Sequence, residues 1–170
     1  MTDDYRADAL DAALLRTLAE RPRSGDLELS RVLKVARATV QGRLRRLDER
    51  GVIRDWAPAV DVAAAGFGVQ AIITLEISQG LLEDVREHLA AMPEVLEAHV
   101  TTGDHDVVCR VATESHERLQ DVLVRLNQSP SVVRSTSVVV LSELIPPRVL
   151  PLLESRAAPA DRAPSFRRDG

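Results

Sequence analysis

The spacing of apolar residues changes once along the chain, and that change limits the folds open to it. Over roughly the first fifty residues, apolar side chains recur at three- and four-residue intervals, the period of helices that share a core. Leu10, Leu14, Leu15 and Leu18 lie on one face of a first helix, with Asp8 as its N-cap and Pro22 to Gly25 as its stop. Asp26 opens a second, shorter helix in which Leu27, Leu29, Val32 and Leu33 are expected to pack on the first. After a break near Val35 to Arg37, Val40, Leu44 and Leu47 mark a third helix that stops at Gly51, a residue suited to the position just past a helix end. Val52, Ile53, Trp56 and Val60 alternate around Pro58 and predict a short two-stranded wing before a hinge at Gly66 to Gly68.

From Val69 the period becomes two. Strand-like VQAIITLEI is followed by helix-like LLEDVREHLAAM, strand VLEAHVTT, a Gly103-Asp104 turn, strand DVVCRV, helix ERLQDVLVRLNQ and strand VVRSTSVVVL. Pro93-Glu94-Val95 and Pro130-Ser131-Val132 each close a helix and open a strand, 37 residues apart, so the segment reads as two related halves. Paired split βαβ units give a ferredoxin-like sheet. The fold class is therefore α+β, an N-terminal winged helix-turn-helix followed by a C-terminal ferredoxin-like βαββαβ domain. The expected boundaries are 1–60 for the head, 61–68 for the hinge, 69–145 for the second domain and 146–170 for an extension whose Pro- and Ala-rich end, from Ser155, is expected to be disordered.

Each domain is small enough that its core alone gives only marginal stability, which favours assembly into oligomers. No apolar run approaches the ~20 residues that span a bilayer, and the acidic start MTDDYRADALDAALL is unlike a secretory leader, so a cytoplasmic location and no membrane partner are expected. The single cysteine, Cys109, allows no disulfide within the chain and no cysteine-built metal site, and is expected to be a buried strand residue. No metal or cofactor is expected.

The net charge of −4 conceals a strong asymmetry. Residues 30–50 carry seven basic side chains against two acidic ones, whereas residues 66–145 carry five basic against twelve acidic. A short segment is built to meet a polyanion and the larger part to avoid one. A helix-turn-helix reads double-stranded DNA by laying its second helix in the major groove, with an apolar stripe inward and polar residues outward. The third helix meets this requirement: Val40, Leu44 and Leu47 face in, leaving Arg37, Thr39, Gln41, Gly42, Arg43, Arg45 and Arg46 for bases and phosphates, with Gly42 small enough to allow close approach of the backbone.

Taken together, ALDAALLRTL, DLELSRVLKVARATVQGRLRRLDERGVI, VDVAAAG and VTTGDHDVVCRV resemble the Lrp/AsnC family of regulators over roughly residues 8–145. The run from Thr39 to Ile53 and the turn from Thr102 to Asp106 are the most specific pieces. The resemblance implies a DNA-binding head, an effector-binding ferredoxin-like domain, and dimers that gather into tetramers or octamers. Ala36 departs from the family, which usually has a Ser there capping the recognition helix.

The expected effector is an amino acid. Its carboxylate and ammonium need free N–H donors beside acceptors, and the turn Thr101-Thr102-Gly103-Asp104-His105-Asp106 can offer both, with Asp104 or Asp106 for the ammonium and Gly103 supplying a positive φ. The resemblance supports this use of the loop by placing it at the contact between dimers. Thr136 and Ser137 are further candidates for the same cavity. The same residues also make an ordinary hairpin turn.

Three other functions compete with this reading. A single-stranded RNA-binding sheet needs aromatic residues for bases to stack on, and Tyr5, Trp56, Phe67 and Phe166 all fall outside the strands. Some chains of similar architecture, the sirohaem decarboxylases, act on a tetrapyrrole, but no acid/base pair or nucleophile surrounds His88, His99, His105 or His116. An effector-independent DNA-organising protein is compatible with everything above.

Overall fold

A computed structural model describes residues 5–157. The chain forms two compact units: one comprises the described residues up to Ala57 together with those from Pro146 onward, and the other Pro58–Ile145.

In the first unit, α1 (Ala9–Glu20), α2 (Asp26–Leu33) and α3 (Arg37–Glu49) enclose a core of Leu14, Leu29, Val40 and Leu47, with Leu18, Leu33, Leu44 and Ile53 packed around it. Asp8 caps α1 by accepting from the N–H groups of Leu10 and Asp11, both at 2.9 Å, while Asp11 returns a bond from the Asp8 N–H, completing a capping box. Lys34 adopts a left-handed conformation (φ 55°) to end α2, and Gly51 (φ 65°) turns the chain out of α3. Contrary to expectation, Leu27 and Val32 are exposed on α2; of its apolar residues only Leu29 is fully buried, because an eight-residue helix presents a single turn or two to its partners.

The wing is a second correction. Among the described residues, 50–68 contain turns but no strand. The N–H groups of Val52 and Ile53 are bonded to the Leu47 carbonyl at 2.9 and 3.2 Å, Pro58 has none to give, and Asp61 winds the following residues by accepting from Ala63 and Ala64, so these positions contribute to no ladder. A third concerns the extension: Ser155 to Ala157, expected to be disordered, belong to α6 (Leu150–Ala157). This helix packs on α1, with the Arg16 Nε–H donating to Glu154 at 2.7 Å. Residues 158–170, the rest of the expected tail, lie outside the described residues.

In the second unit, β1 (Val69–Ile77), β2 (Val95–Val100), β3 (Val107–Thr113) and β4 (Val132–Val139) form an antiparallel sheet in the order β2-β3-β1-β4, with α4 (Leu82–Ala90) and α5 (His116–Gln128) as the crossovers. β2 and β4 begin at Val95 and Val132, keeping the 37-residue offset of the two halves. Ala71, Ile73, Leu75, Val107, Cys109 and Val111 point to one face and pack with Val85, Leu89, Leu119, Val122 and Leu126 of the helices. Burial pushes the Cys109 thiol up to about 11. The alternate positions, Ile72, Thr74, Val108, Thr136 and Val138, form the opposite face. β4 ends at Val139, so the expected apolar strand run through Leu141 is shorter than its sequence suggested.

Candidate functional site

α3 is held by its buried side and by charge. Its N-cap, Ala36, has the extended backbone of a capping residue but no side-chain oxygen, so the first turn depends on tertiary support. That support comes from Asp11, which is fully buried and accepts from the Tyr5 hydroxyl at 2.5 Å, the Asp8 N–H at 3.1 Å and the Arg43 guanidinium at 3.1 Å. Arg43 also pairs with Asp8, and its side chain is only 25% exposed. Burial opposes ionisation of Asp8, but the Arg43 guanidinium and the N–H groups of Asp11 and Leu10 outweigh it and hold its carboxyl below the usual range. The Arg43 guanidinium is raised in turn, chiefly by its bond to Asp8.

Arg43, expected on the outer face of α3, therefore points inward and joins α3 to α1. At 100° per residue it sits closer to Leu47 than to the outward side. Arg46 is intermediate: its guanidinium lies 3.9 Å from Asp11 and 5.3 Å from the centre of the Tyr5 ring, yet the residue is exposed. Arg37, Thr39, Gln41 and Arg45 are exposed; Arg45 is 76% exposed and lies 3.8 Å from Glu49. Gln41 donates to Asp26 at 2.8 Å, tying α3 to the start of α2. Gly42 lies between them on the outward side. The sequence reading missed Tyr5, Asp8 and Asp11 as positioning residues. The available signal was Asp11 itself, a carboxylate at helical spacing with Leu14, Leu15 and Leu18.

In the second unit, residues 101–106 close the β2–β3 hairpin. The Thr101 N–H donates to the Asp106 carbonyl at 2.8 Å and the Thr101 hydroxyl to the His105 carbonyl at 2.7 Å. Gly103 has φ 111°, as the turn requires. Asp106 faces β1 with both its groups: its N–H donates to the Leu75 carbonyl at 2.9 Å, and its carboxylate accepts from the Ile77 N–H at 2.8 Å. Asp104 and Asp106 are both exposed, but Asp106 is engaged in fastening the turn. Among the described residues, the N–H groups of 102–105 have no backbone acceptor. His105 lies 3.9 Å from Glu76. Thr136 and Ser137 do not line one cavity, because neighbours on a strand face opposite ways: Thr136 pairs with Thr74 on the open face and Ser137 with Ile73 on the helix side.

A helix-turn-helix whose last helix carries the basic residues, followed by an acidic ferredoxin-like domain, defines a DNA-binding transcription regulator with a separate ligand-binding module. Comparison with known proteins agrees at both ends of the chain. Residues 8–54 match the winged helix-turn-helix DNA-binding model and residues 70–150 the Lrp/AsnC ligand binding domain. The chain is 30% identical to the HTH-type transcriptional regulator FL11 of Pyrococcus horikoshii over 134 residues, spanning 79% of this chain and 89% of that protein. Among solved structures, Escherichia coli AsnC superposes with a TM-score of 0.80 at 25% identity, covering 86% of this chain and 100% of AsnC. A Neisseria meningitidis transcriptional regulator in complex with L-Met superposes with a TM-score of 0.71 at 26% identity, covering 81% and 92%. The chain belongs to the Lrp/AsnC family of transcription regulators.

Proposed function

We propose that the protein is a sequence-specific regulator that reads double-stranded DNA with the outward side of α3 and adjusts its assembly or its DNA binding to an amino acid. The observation that carries the first half is the division of labour among the arginines. Arg43 is spent on holding the helix, while Arg37, Arg45 and Arg46, with Thr39, Gln41 and Gly42, are left on the accessible sides. A duplex selected from a random library by the full-length protein serves as the operator. Arg37→Ala and Arg45→Ala each weaken its binding and shallow the log-affinity against log-salt slope by about 1. Binding unchanged in the double variant overturns the assignment.

The effector half rests on the turn 101–106, where free N–H groups adjoin the exposed Asp104 carboxylate, and on the L-Met bound by the Neisseria relative. In this reading Asp104 receives the ammonium, the N–H groups around Gly103 receive the carboxylate, and Asp106 keeps the loop in shape. A thermal-shift screen of the twenty amino acids finds at least one stabilising ligand, and Asp104→Ala abolishes that shift while sparing DNA binding. If no amino acid shifts the protein or changes its oligomer size, it organises DNA without an effector of this class.

The same proposal includes a dimer formed through the open face of the sheet, which sets two α3 helices on half-sites about 34 Å, or a multiple of it, apart. Ile72 and Val138 are adjacent on that face and 43% and 63% exposed, apolar area that a partner surface would cover.

A further inference from the structure

Nothing among the described residues requires a glycine at position 42. It lies in the middle of α3, where its backbone is helical and not in the left-handed region that favours glycine. A Cβ built on it meets no atom within 4 Å, so no neighbour requires its smallness. Glycine is the poorest helix former after proline, and α3 is already without a capping side chain at Ala36. A helix with so little intrinsic support retains a residue that weakens it further, at a position where alanine would fit.

The position explains what the fold does not. Counting 100° per residue, Gly42 is about 200° from buried Val40, near the centre of the outward side, with Ala38 one turn before it and Arg45 one turn after. We infer that Gly42 is kept bare for DNA, so that the backbone of α3 itself comes against the groove at this point and the arginines around it reach their contacts at a depth that any side chain here would prevent. An α-helix with its side chains nearly fills the roughly 12 Å width of the major groove, so one missing side chain on the leading side alters how far the helix can enter. Gly42 is then a specificity determinant that acts by omission: it selects sequences whose groove can be approached that closely. The inference rests on the DNA face proposed above.

Two measurements on the full-length protein test it, thermal melting and fluorescence-anisotropy titration of the selected duplex and of a scrambled duplex. Gly42→Ala is expected to raise the melting temperature by several degrees and yet weaken the selected duplex by about tenfold, the size of losing one good base contact. Gly42→Gln is expected to weaken it further, although glutamine is a good helix former and brings new hydrogen-bonding groups. Binding to the scrambled duplex changes much less, because phosphate contacts dominate there. Opposite signs for stability and affinity support the inference. If Gly42→Ala binds like the unaltered protein while Arg45→Ala is weakened, the face stands and the role of Gly42 is overturned. If neither variant changes binding, the face itself is wrong and the inference falls with it. A lowered melting temperature, or a changed oligomer size in Gly42→Gln with unchanged binding, assigns the bare position to packing and also overturns it.

Discussion

Asp8 caps α1 and pairs with Arg43 through the same carboxylate, and the two roles are separable by substitution. Asn is as good an N-cap as Asp, so Asp8→Asn preserves the cap and removes only the charge. The carboxyl is held below its ordinary value in the folded protein, so ionised Asp8 stabilises the fold at pH values above the unfolded pKa, and that contribution is lost as pH falls through the folded one. The side chain is half exposed, which screens the pair, so the expected loss at neutral pH is only about 0.5–1 kcal/mol. Urea denaturation of both proteins should give midpoints that differ at pH 7 and converge as pH falls through the folded-state pKa of Asp8. A difference that persists unchanged into acid would mean that geometry and not charge is at stake. Asp11 is another matter: it is buried among Tyr5, Arg43 and the α1 backbone, and removing it would leave the inward guanidinium with Asp8 alone and the Tyr5 hydroxyl without its acceptor.

At the level of the element, α3 is a helix whose sequence supports it poorly and whose surroundings hold it well. Ala36 has φ −63° and ψ 145°, the extended conformation from which a serine hydroxyl reaches the N–H groups of the first helical turn. Ala36→Ser is therefore expected to raise stability by roughly 1 kcal/mol without moving any other residue, read as an increased urea midpoint at constant m-value. A serine that leaves the midpoint unchanged would indicate that water already satisfies those N–H groups. The hairpin turn follows the same logic with a different outcome. There the supporting bonds are local: Asp106 fastens residues 101–106 to the end of β1 through Leu75 and Ile77. Asp106 thus resembles a ligand-binding carboxylate in sequence and acts as a brace in space.

For the whole molecule, the decisive surface is the uncovered side of the sheet. Both crossover helices pack on the other side, around Ile73, Leu75 and Cys109, because βαβ connections of one hand place them together. Ile72, Val108 and Val138 remain on the open face beside Thr74 and Thr136, with the Glu97–Arg110 ion pair toward one edge. Light scattering at micromolar concentration is expected to report a dimer or larger assembly, and the double variant Ile72→Asp, Val138→Asp a monomer with an unchanged far-ultraviolet circular dichroism spectrum. Operator affinity should fall with it, since two half-sites are no longer engaged by one particle. A variant that stays assembled would move the interface elsewhere. Arg16 and Glu154, which join α1 to α6, are both partly exposed, and their pair is expected to contribute little to stability.

The order of elements, the two domains and the inward stripe of α3 were legible in the sequence because they follow from local periodicity: 3.6 residues per turn up to Leu47, two per repeat from Val69. So were the stops at Gly51 and Gly103, where a positive φ favours glycine. The sequence alone also determined where the positive charge is concentrated. It did not determine what the inward cation meets. A count of 100° per residue already sets Arg43 nearer to Leu47 than Arg45 is, but only the placement of α1 brings Asp8 and Asp11 to its guanidinium. The missing wing strands and the α6 packing on α1 are decisions of the same kind, since a strand needs a neighbour with free hydrogen-bonding groups and a short helix needs a surface. Periodicity is a property of consecutive residues; pairing and burial depend on residues far apart in the chain, and those distances exist only once it has folded.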